Sequence, residues 1–239
     1  MEPGDDEPGR QAVLRPIKKI ATRAREPAHP AEDAGFRYLL ECGDPVMAAL
    51  VDRIGPLDHA ARRRGRPDDA YASLVRTIVG QQLSTKAART IYARLVGLFG
   101  DNPPTPAELI AAEEADLRAA GLSRQKIGYL RDLAHRVHHG ELELGLLHEL
   151  SDEEVSARIT AVKGLGQWSA DMFLMFHLRR PDVLPVGDLG VRRAVERVYG
   201  LQGLPGADEL RALAGPWRPW RTLACLYLWE SLDTVPDAG

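Results

Sequence analysis

The stretch whose residue types and spacing could do chemistry runs from Ile159 to Arg193, ITAVKGLGQWSADMFLMFHLRRPDVLPVGDLGVRR. Apolar periodicity stops at Val162, the turn Lys163-Gly164-Leu165-Gly166-Gln167 follows, and helical spacing resumes at Ala170, Phe173, Leu174 and His177. Two glycines at alternate positions permit backbone conformations and close approaches that a Cβ forbids. The first amides of the next helix then point outward, and with the helix dipole they form a seat for a phosphate. Such a seat grips a nucleic-acid backbone without reading sequence. The other reading of the same turn is an ordinary αα-hairpin. Twenty residues after Trp168, behind Pro185 and Gly187, comes Asp188, which taken alone reads as the N-cap of a helix starting at Leu189.

The elements that must hold this stretch are helical almost throughout. Asp44-Pro45 reads as a cap and first helical position, and Thr105-Pro106 with Glu108 as a start with a capping box. Ser151 with Glu154 is a second capping box, Leu150 being placed to staple onto Val155, which predicts a helix to about Ala161. Ile91, Leu95, Leu98 and Phe99 share one face, as do Ile127, Leu130, Ala134 and Val137, with Gly100 and Gly140 as stops. Pro219 is expected to open a last helix reaching about Ser231. Alternating strand patterns are nearly absent, a hairpin within residues 1–60 being the one place left open. The fold class is therefore all-α, with nine to eleven helices.

Composition narrows the function classes. With 239 residues, 44% hydrophobic and 27% charged, the chain fits one large domain or two subdomains around a core, and not a fibrous or wholly disordered protein. No apolar run approaches the length of a membrane span, and the start MEPGDDEPGR lacks the order of a secretory signal, so an intracellular protein is expected. Cys42 and Cys225 are too few for a disulfide framework, a thiolate zinc site or an iron–sulfur cluster. His135, His138 and His139 lie on one helix without partner ligands at useful spacing. The net charge of −3 excludes nothing, because backbone binding follows local cation density. Residues 1–33, rich in proline, read as a flexible extension. Its basic run, from Arg10 to Arg25, is either a solvated tail or a DNA-contacting arm.

Taken in order, IVGQQLSTKAA (78–88), GLSRQKIGYLRDLA (121–134), VKGLGQWSAD, LPVGDLGVRR and WRPWRTLACLYLW (217–229) resemble the helix–hairpin–helix DNA glycosylases of base-excision repair. The alkylbase branch, 3-methyladenine DNA glycosylase II, is the more similar one, in a compact form without that enzyme's N-terminal sheet domain. The resemblance implies two helical subdomains flanking a cleft. One spans about residues 70–180; the other joins about 34–69 to 181–239, so that the glycosylase domain covers 34–239. It implies double-stranded DNA with damaged bases as partner, no membrane, a monomer, and a cytoplasmic, nucleoid-associated location on the assumption of a bacterial source.

The resemblance also implies roles. Asp188 matches the catalytic carboxylate, which near C1′ stabilises an oxocarbenium-like sugar and orients or deprotonates water. Lys163, Gly164, Gly166 and Ser169 match the phosphate seat. Trp168 and Trp229 match aromatics of the base pocket, where electron-rich faces suit a cationic methylpurine. Trp217 and Trp220 are left to the core or a subdomain interface. Met172 and Leu189 stand where the classical enzyme has tyrosines, implying a wider or less selective pocket. Strand-cutting relatives carry a Schiff-base lysine where this chain has Trp168, so a monofunctional hydrolase is expected. Gln82, Leu83 and Ser84 match the loop that enters the minor groove, the alternative being a Ser84 cap with Leu83 in the core. No cofactor is required, and Na+ or K+ could sit on the main-chain carbonyls of Thr160, Val162 and Leu165. Two other readings stay open: the same scaffold acting on deaminated or oxidised bases, and a non-catalytic hairpin protein that binds damaged DNA.

Overall fold

The computed structural model describes residues 30–58 and 67–233, and among these there are helices, turns and no strand. The expected extension therefore lies mostly outside the described residues, as does its basic run. Its boundary shifts, because α1 (Pro30–Glu41) is already helical at residue 30. Then come α2 (Pro45–Ile54), α3 (Ala70–Gly80), α4 (Thr85–Gly97), α5 (Pro106–Ala111), α6 (Glu114–Ala119) and α7 (Arg124–His138). A 3-10 turn at Leu144–Glu149 leads to α8 (Asp152–Thr160), α9 (Gln167–Phe176), α10 (Leu189–Tyr199), α11 (Ala207–Leu213) and α12 (Arg221–Asp233). Twelve α-helices among the described residues exceed the expected nine to eleven. The surplus comes from pieces such as α6 and α11, of six and seven residues, too short to show a period.

Local chemistry sets the starts. Asp44 accepts from the amides of Val46 and Met47 with Pro45 in the first turn, and Thr105–Glu108 and Ser151–Glu154 form reciprocal capping boxes. Gly100 and Gly140 take positive φ just beyond α4 and α7. Two expectations fail locally. Leu98 and Phe99 lie past the end of α4 and escape its period, leaving Leu98 exposed although Leu95 is fully buried. The last helix begins at Arg221 rather than Pro219, because the Asp182 carboxylate takes the Arg221 amide and guanidinium together.

Packing falls into two groups. α5 and α7, α3 and α4, α3 and α7, and α8 and α9 pack on one another, with α9 reaching α3. α1, α2, α10 and α12 form the other group, sealed by Trp217, which is fully buried and donates to Asp44 Oδ2 at 2.9 Å. Trp220 is half-buried against Gly35 of α1, where an added Cβ would come within 2.9 Å of the ring. The segment linking α9 to α10 passes between the groups and is tied down at both ends of its first half. Arg180 donates to the carbonyls of His148 and Leu150, while Thr222 accepts from the Val183 amide and donates to the Arg180 carbonyl. Asp188 ends this braced segment.

Candidate active site

Asp188 is the N-cap of α10, its Oδ1 accepting from the Val191 amide at 2.7 Å. The capping alternative is therefore true, yet it accounts for only part of the carboxylate. Trp229 Nε1 donates to the same oxygen at 3.0 Å, and Trp168 Nε1 donates to Oδ2 at 2.7 Å. Three donors converge on one anion from α10, α12 and the start of α9. With 9% of its surface exposed, Asp188 lies just under the rim. Trp168 at 44% and Leu189 at 45% exposure stand above it, an open aromatic and aliphatic edge over a nearly buried charge. Burying a carboxylate is unfavourable unless donors replace water, and here two indoles and an amide do so.

The neighbours explain the arrangement. Trp229 is half-buried, stacked at 6.0 Å on Phe176, and it lies so close to α10 that a Cβ on Gly190 would come within 2.9 Å of its Nε1. Met172 is half-buried one turn beyond Trp168. Asp171, also in that turn, is buried and accepts from Gln167 Nε2 at 2.8 Å. Burial raises its pKa, the Gln167 hydrogen bond opposes this, and the charge of Asp188 adds to the rise. Cys225 on α12 is fully buried nearby, its thiol pushed up by burial first and by Asp188 second. Neither Gly190 nor Asp171 was singled out from sequence; their spacing from Asp188 and Trp168 was the available signal.

The hairpin joins α8 to α9. Gly164 has φ +80°, and a Cβ there would sit 2.1 Å from Tyr129 Cδ2, so both the conformation and the ring of α7 demand glycine. Gly166 differs: its φ is −104°, the space around it is open, and it caps α9 without a side-chain hydrogen bond. The first turn of α9 thus keeps outward amides beside an unencumbered backbone. Lys163 is exposed, with its main-chain amide held by Asp132 Oδ2 at 2.9 Å and its ammonium 3.8 Å from the same carboxylate. Ser169 departs from its expected place. It is 3% exposed with its amide on the Gly166 carbonyl, because the helix turns that position inward, which leaves Lys163, Gly164 and Gly166 as the exposed residues of the expected seat. Thr160 ends α8 and Val162 and Leu165 follow, where carbonyls lack helical partners; Val162 O accepts from the Leu165 amide at 3.1 Å.

The loop after α3 lies alongside. Ser84 Oγ caps α4 through the Ala87 amide at 3.3 Å, as the capping alternative had it. Leu83 is nevertheless 38% exposed and not in the core, and Gln82 is exposed with φ +57°. Elsewhere His135, His138 and His139 are exposed, His139 stacking on His135 and meeting His138 edge-on, and no cluster of three or more metal-ligating side chains occurs among the described residues. No described helix is long and apolar enough to cross a membrane.

Comparison with known proteins fits this geometry. The chain is 32% identical over 190 residues to DNA-3-methyladenine glycosylase 1 of Schizosaccharomyces pombe, spanning 79% of this chain and 82% of that one. A putative DNA-3-methyladenine glycosylase of Bacillus subtilis is 31% identical over 68% of this chain, which spans 59% of that protein's length. Among solved structures, the S. pombe 3-methyladenine DNA glycosylase in complex with abasic DNA superposes with a TM-score of 0.75 at 30% identity, covering 84% of this chain and 97% of that one. The Bacillus halodurans DNA-3-methyladenine glycosidase gives 0.73 at 36% identity, covering 83% and 89%. A family model matches residues 75–219, which hold the loop after α3, the hairpin and Asp188 alike. By that match the chain belongs to the HhH-GPD superfamily of base excision DNA repair proteins.

Proposed function

We propose that this protein is a monofunctional DNA glycosylase that hydrolyses the N-glycosidic bond of alkylated purines, of the 3-methyladenine and 7-methylguanine type, and leaves an abasic site. The observation that carries the reading is the Asp188 carboxylate, held by Val191, Trp229 and Trp168 at the edge of an exposed aromatic surface within the matched family segment. The relatives named for DNA-3-methyladenine supply the substrate class.

The chemistry follows from the charges. A purine nucleotide methylated at a ring nitrogen, as 3-methyladenine or 7-methylguanine is, carries a positive charge, and everting it from the stack costs a few kcal/mol, less for a damaged pair. Trp168 offers an exposed electron-rich face to such a base, an attraction on the order of 0.5–2 kcal/mol. When C1′–N breaks, its electron pair leaves with the base, which becomes neutral, and the positive charge passes to the sugar. Asp188 stabilises that oxocarbenium ion electrostatically and orients a water molecule. Water adds to C1′, and its proton passes to the carboxylate and on to solvent. Meanwhile the amides at the start of α9 and the Lys163 ammonium hold a backbone phosphate, and Gln82 and Leu83 enter the minor groove. The carbonyls of Thr160, Val162 and Leu165, grouped where α8 ends, suit Na+ or K+, which would add positive charge at that phosphate. Such work would be done at chromosomal DNA, which for a bacterial source means the nucleoid within the cytoplasm.

The test is base release. Duplex DNA treated with a methylating agent is incubated with the protein, and free bases are separated by chromatography. Release of 3-methyladenine and 7-methylguanine is expected. Release only from duplexes with hypoxanthine or 8-oxoguanine would reassign the lesion, and tight binding without turnover on any of them would overturn the enzymatic reading.

A further inference from the structure

The two DNA-facing loops are joined. Gln81, the residue after α3, donates its side-chain Nε2 to the Gly164 carbonyl at 2.7 Å, across 83 residues. Lys126 donates Nζ to the carbonyls of Val79 and Gln81 at 2.7 and 2.8 Å, closing the open end of α3 with a cation. Lys126 belongs to one flank of α7 on which Tyr129 lies against Gly164 and Asp132 holds the Lys163 amide. Three residues at successive intervals of three thus fix both the loop and the hairpin to one helix. Beyond Gln81 the loop tip is exposed at Gln82 and Leu83, with Gln82 in the left-handed region.

We infer that Gln81 and Lys126 are positioning residues: they set the reach of the Gln82–Leu83 tip relative to the phosphate seat at Gly164–Gly166, so that gripping the strand and entering the minor groove are one rigid-body event. This rests on the proposed glycosylase reading. Both ties run to main-chain carbonyls and survive any change of tip sequence. The register between seat and tip is then a property of the backbone, and the tip alone meets the bases.

The test uses the full chain and two duplexes, one undamaged and one carrying a tetrahydrofuran abasic analogue beside 2-aminopurine, whose fluorescence rises on unstacking. Gln81→Leu removes the donor at similar size, and Lys126→Met is a second, independent cut. Each is expected to weaken binding to the abasic duplex about tenfold, the weight of one or two hydrogen bonds, with a smaller loss on undamaged DNA and a lowered 2-aminopurine signal. Lys126→Arg, which keeps donors, should restore most of that signal. The double change Gln81→Leu with Leu83→Ala should bind no more weakly than Leu83→Ala alone. Wild-type fluorescence in both single variants, equal losses on the two duplexes, or additive effects in the double variant would each overturn the inference. Neither duplex offers a base to release, so a wild-type chain that unstacks DNA yet frees no methylated base would sink the glycosylase reading and leave this one standing.

Discussion

Trp168 and Asp188, 20 residues apart, are joined by a 2.7 Å hydrogen bond from the indole N–H to Oδ2. A second carboxylate in the same protein shows how unusual its exposure is. Asp44 also caps a helix and also accepts from an indole, that of Trp217, but there the tryptophan is fully buried. The Asp44 node is a clamp between α2 and the segment before α12. At Asp188 the equivalent indole lies half in solvent, where an incoming base can meet it.

Asp188→Asn should lower single-turnover base release at least about 100-fold, the scale of losing one preorganised electrostatic group, while binding to abasic-analogue DNA persists. Asparagine keeps an oxygen for the Val191 amide but turns an NH2 group toward one indole donor. That donor belongs to Trp168, since Trp229 shares the oxygen that Val191 keeps, and Trp168 lies half in solvent where water can accept its N–H, so the melting temperature should change by no more than a few degrees. An unchanged release rate would remove Asp188 from catalysis.

Replacing Trp168 separates its ring from its N–H. Trp168→Phe keeps an aromatic face and loses the donor to Asp188; Trp168→Ala loses both. If the face holds a cationic base, Trp168→Ala should reduce release of 7-methylguanine roughly 3- to 30-fold, with Trp168→Phe in between. Equal rates for the two variants would limit Trp168 to its hydrogen bond.

The two hairpin glycines should respond differently. Gly164→Ala forces a left-handed alanine into the Tyr129 ring and should destabilise the fold by about 1–3 kcal/mol, read by chemical denaturation. Gly166→Ala has open space and negative φ, so stability should change by less than about 0.5 kcal/mol. A loss of DNA affinity in Gly166→Ala without a loss of stability would identify the amides it flanks as the phosphate contact.

Asp132 links the hairpin to pH. Burial pushes its carboxyl up, but the Lys163 amide, the Arg136 hydrogen bond and the charges of Arg136 and Lys163 outweigh this and hold it below the ordinary 3.8. A depressed carboxylate stabilises the fold above its unfolded value and loses that contribution as pH falls through the folded one. The melting-temperature gap between wild type and Asp132→Asn should therefore be largest near neutrality and shrink below pH 3.8. A gap independent of pH would assign the effect to packing.

No imine should form during turnover, because the position of the lyase lysine holds Trp168. Borohydride added during the reaction with alkylated DNA is expected to trap no covalent adduct on a denaturing gel. A strong adduct would point to Lys163 or Lys126 as a nucleophile.

Much of this molecule is written in short spans of chain. Caps such as Ser151 with Glu154 act over three residues, and the glycine turn before Trp168 needs only local backbone freedom, so fold class and hairpin can be read from residue order, while Asp188 as a candidate carboxylate rests on the resemblance to the glycosylase family. What the sequence left open depended on contacts between distant segments. That Asp188 is more than a cap could not be seen locally, since one carboxylate serves Val191 next door and two tryptophans 20 and 41 residues away. Ser169 looked like part of the phosphate seat until the packing of α9 turned it inward, and Leu83 could have been core until the loop left it exposed. The link from Gln81 to Gly164 spans 83 residues and ends on a carbonyl, a group that every residue carries. Side-chain identity fixes what a residue can donate or accept, but only the folded chain decides which oxygen lies within reach.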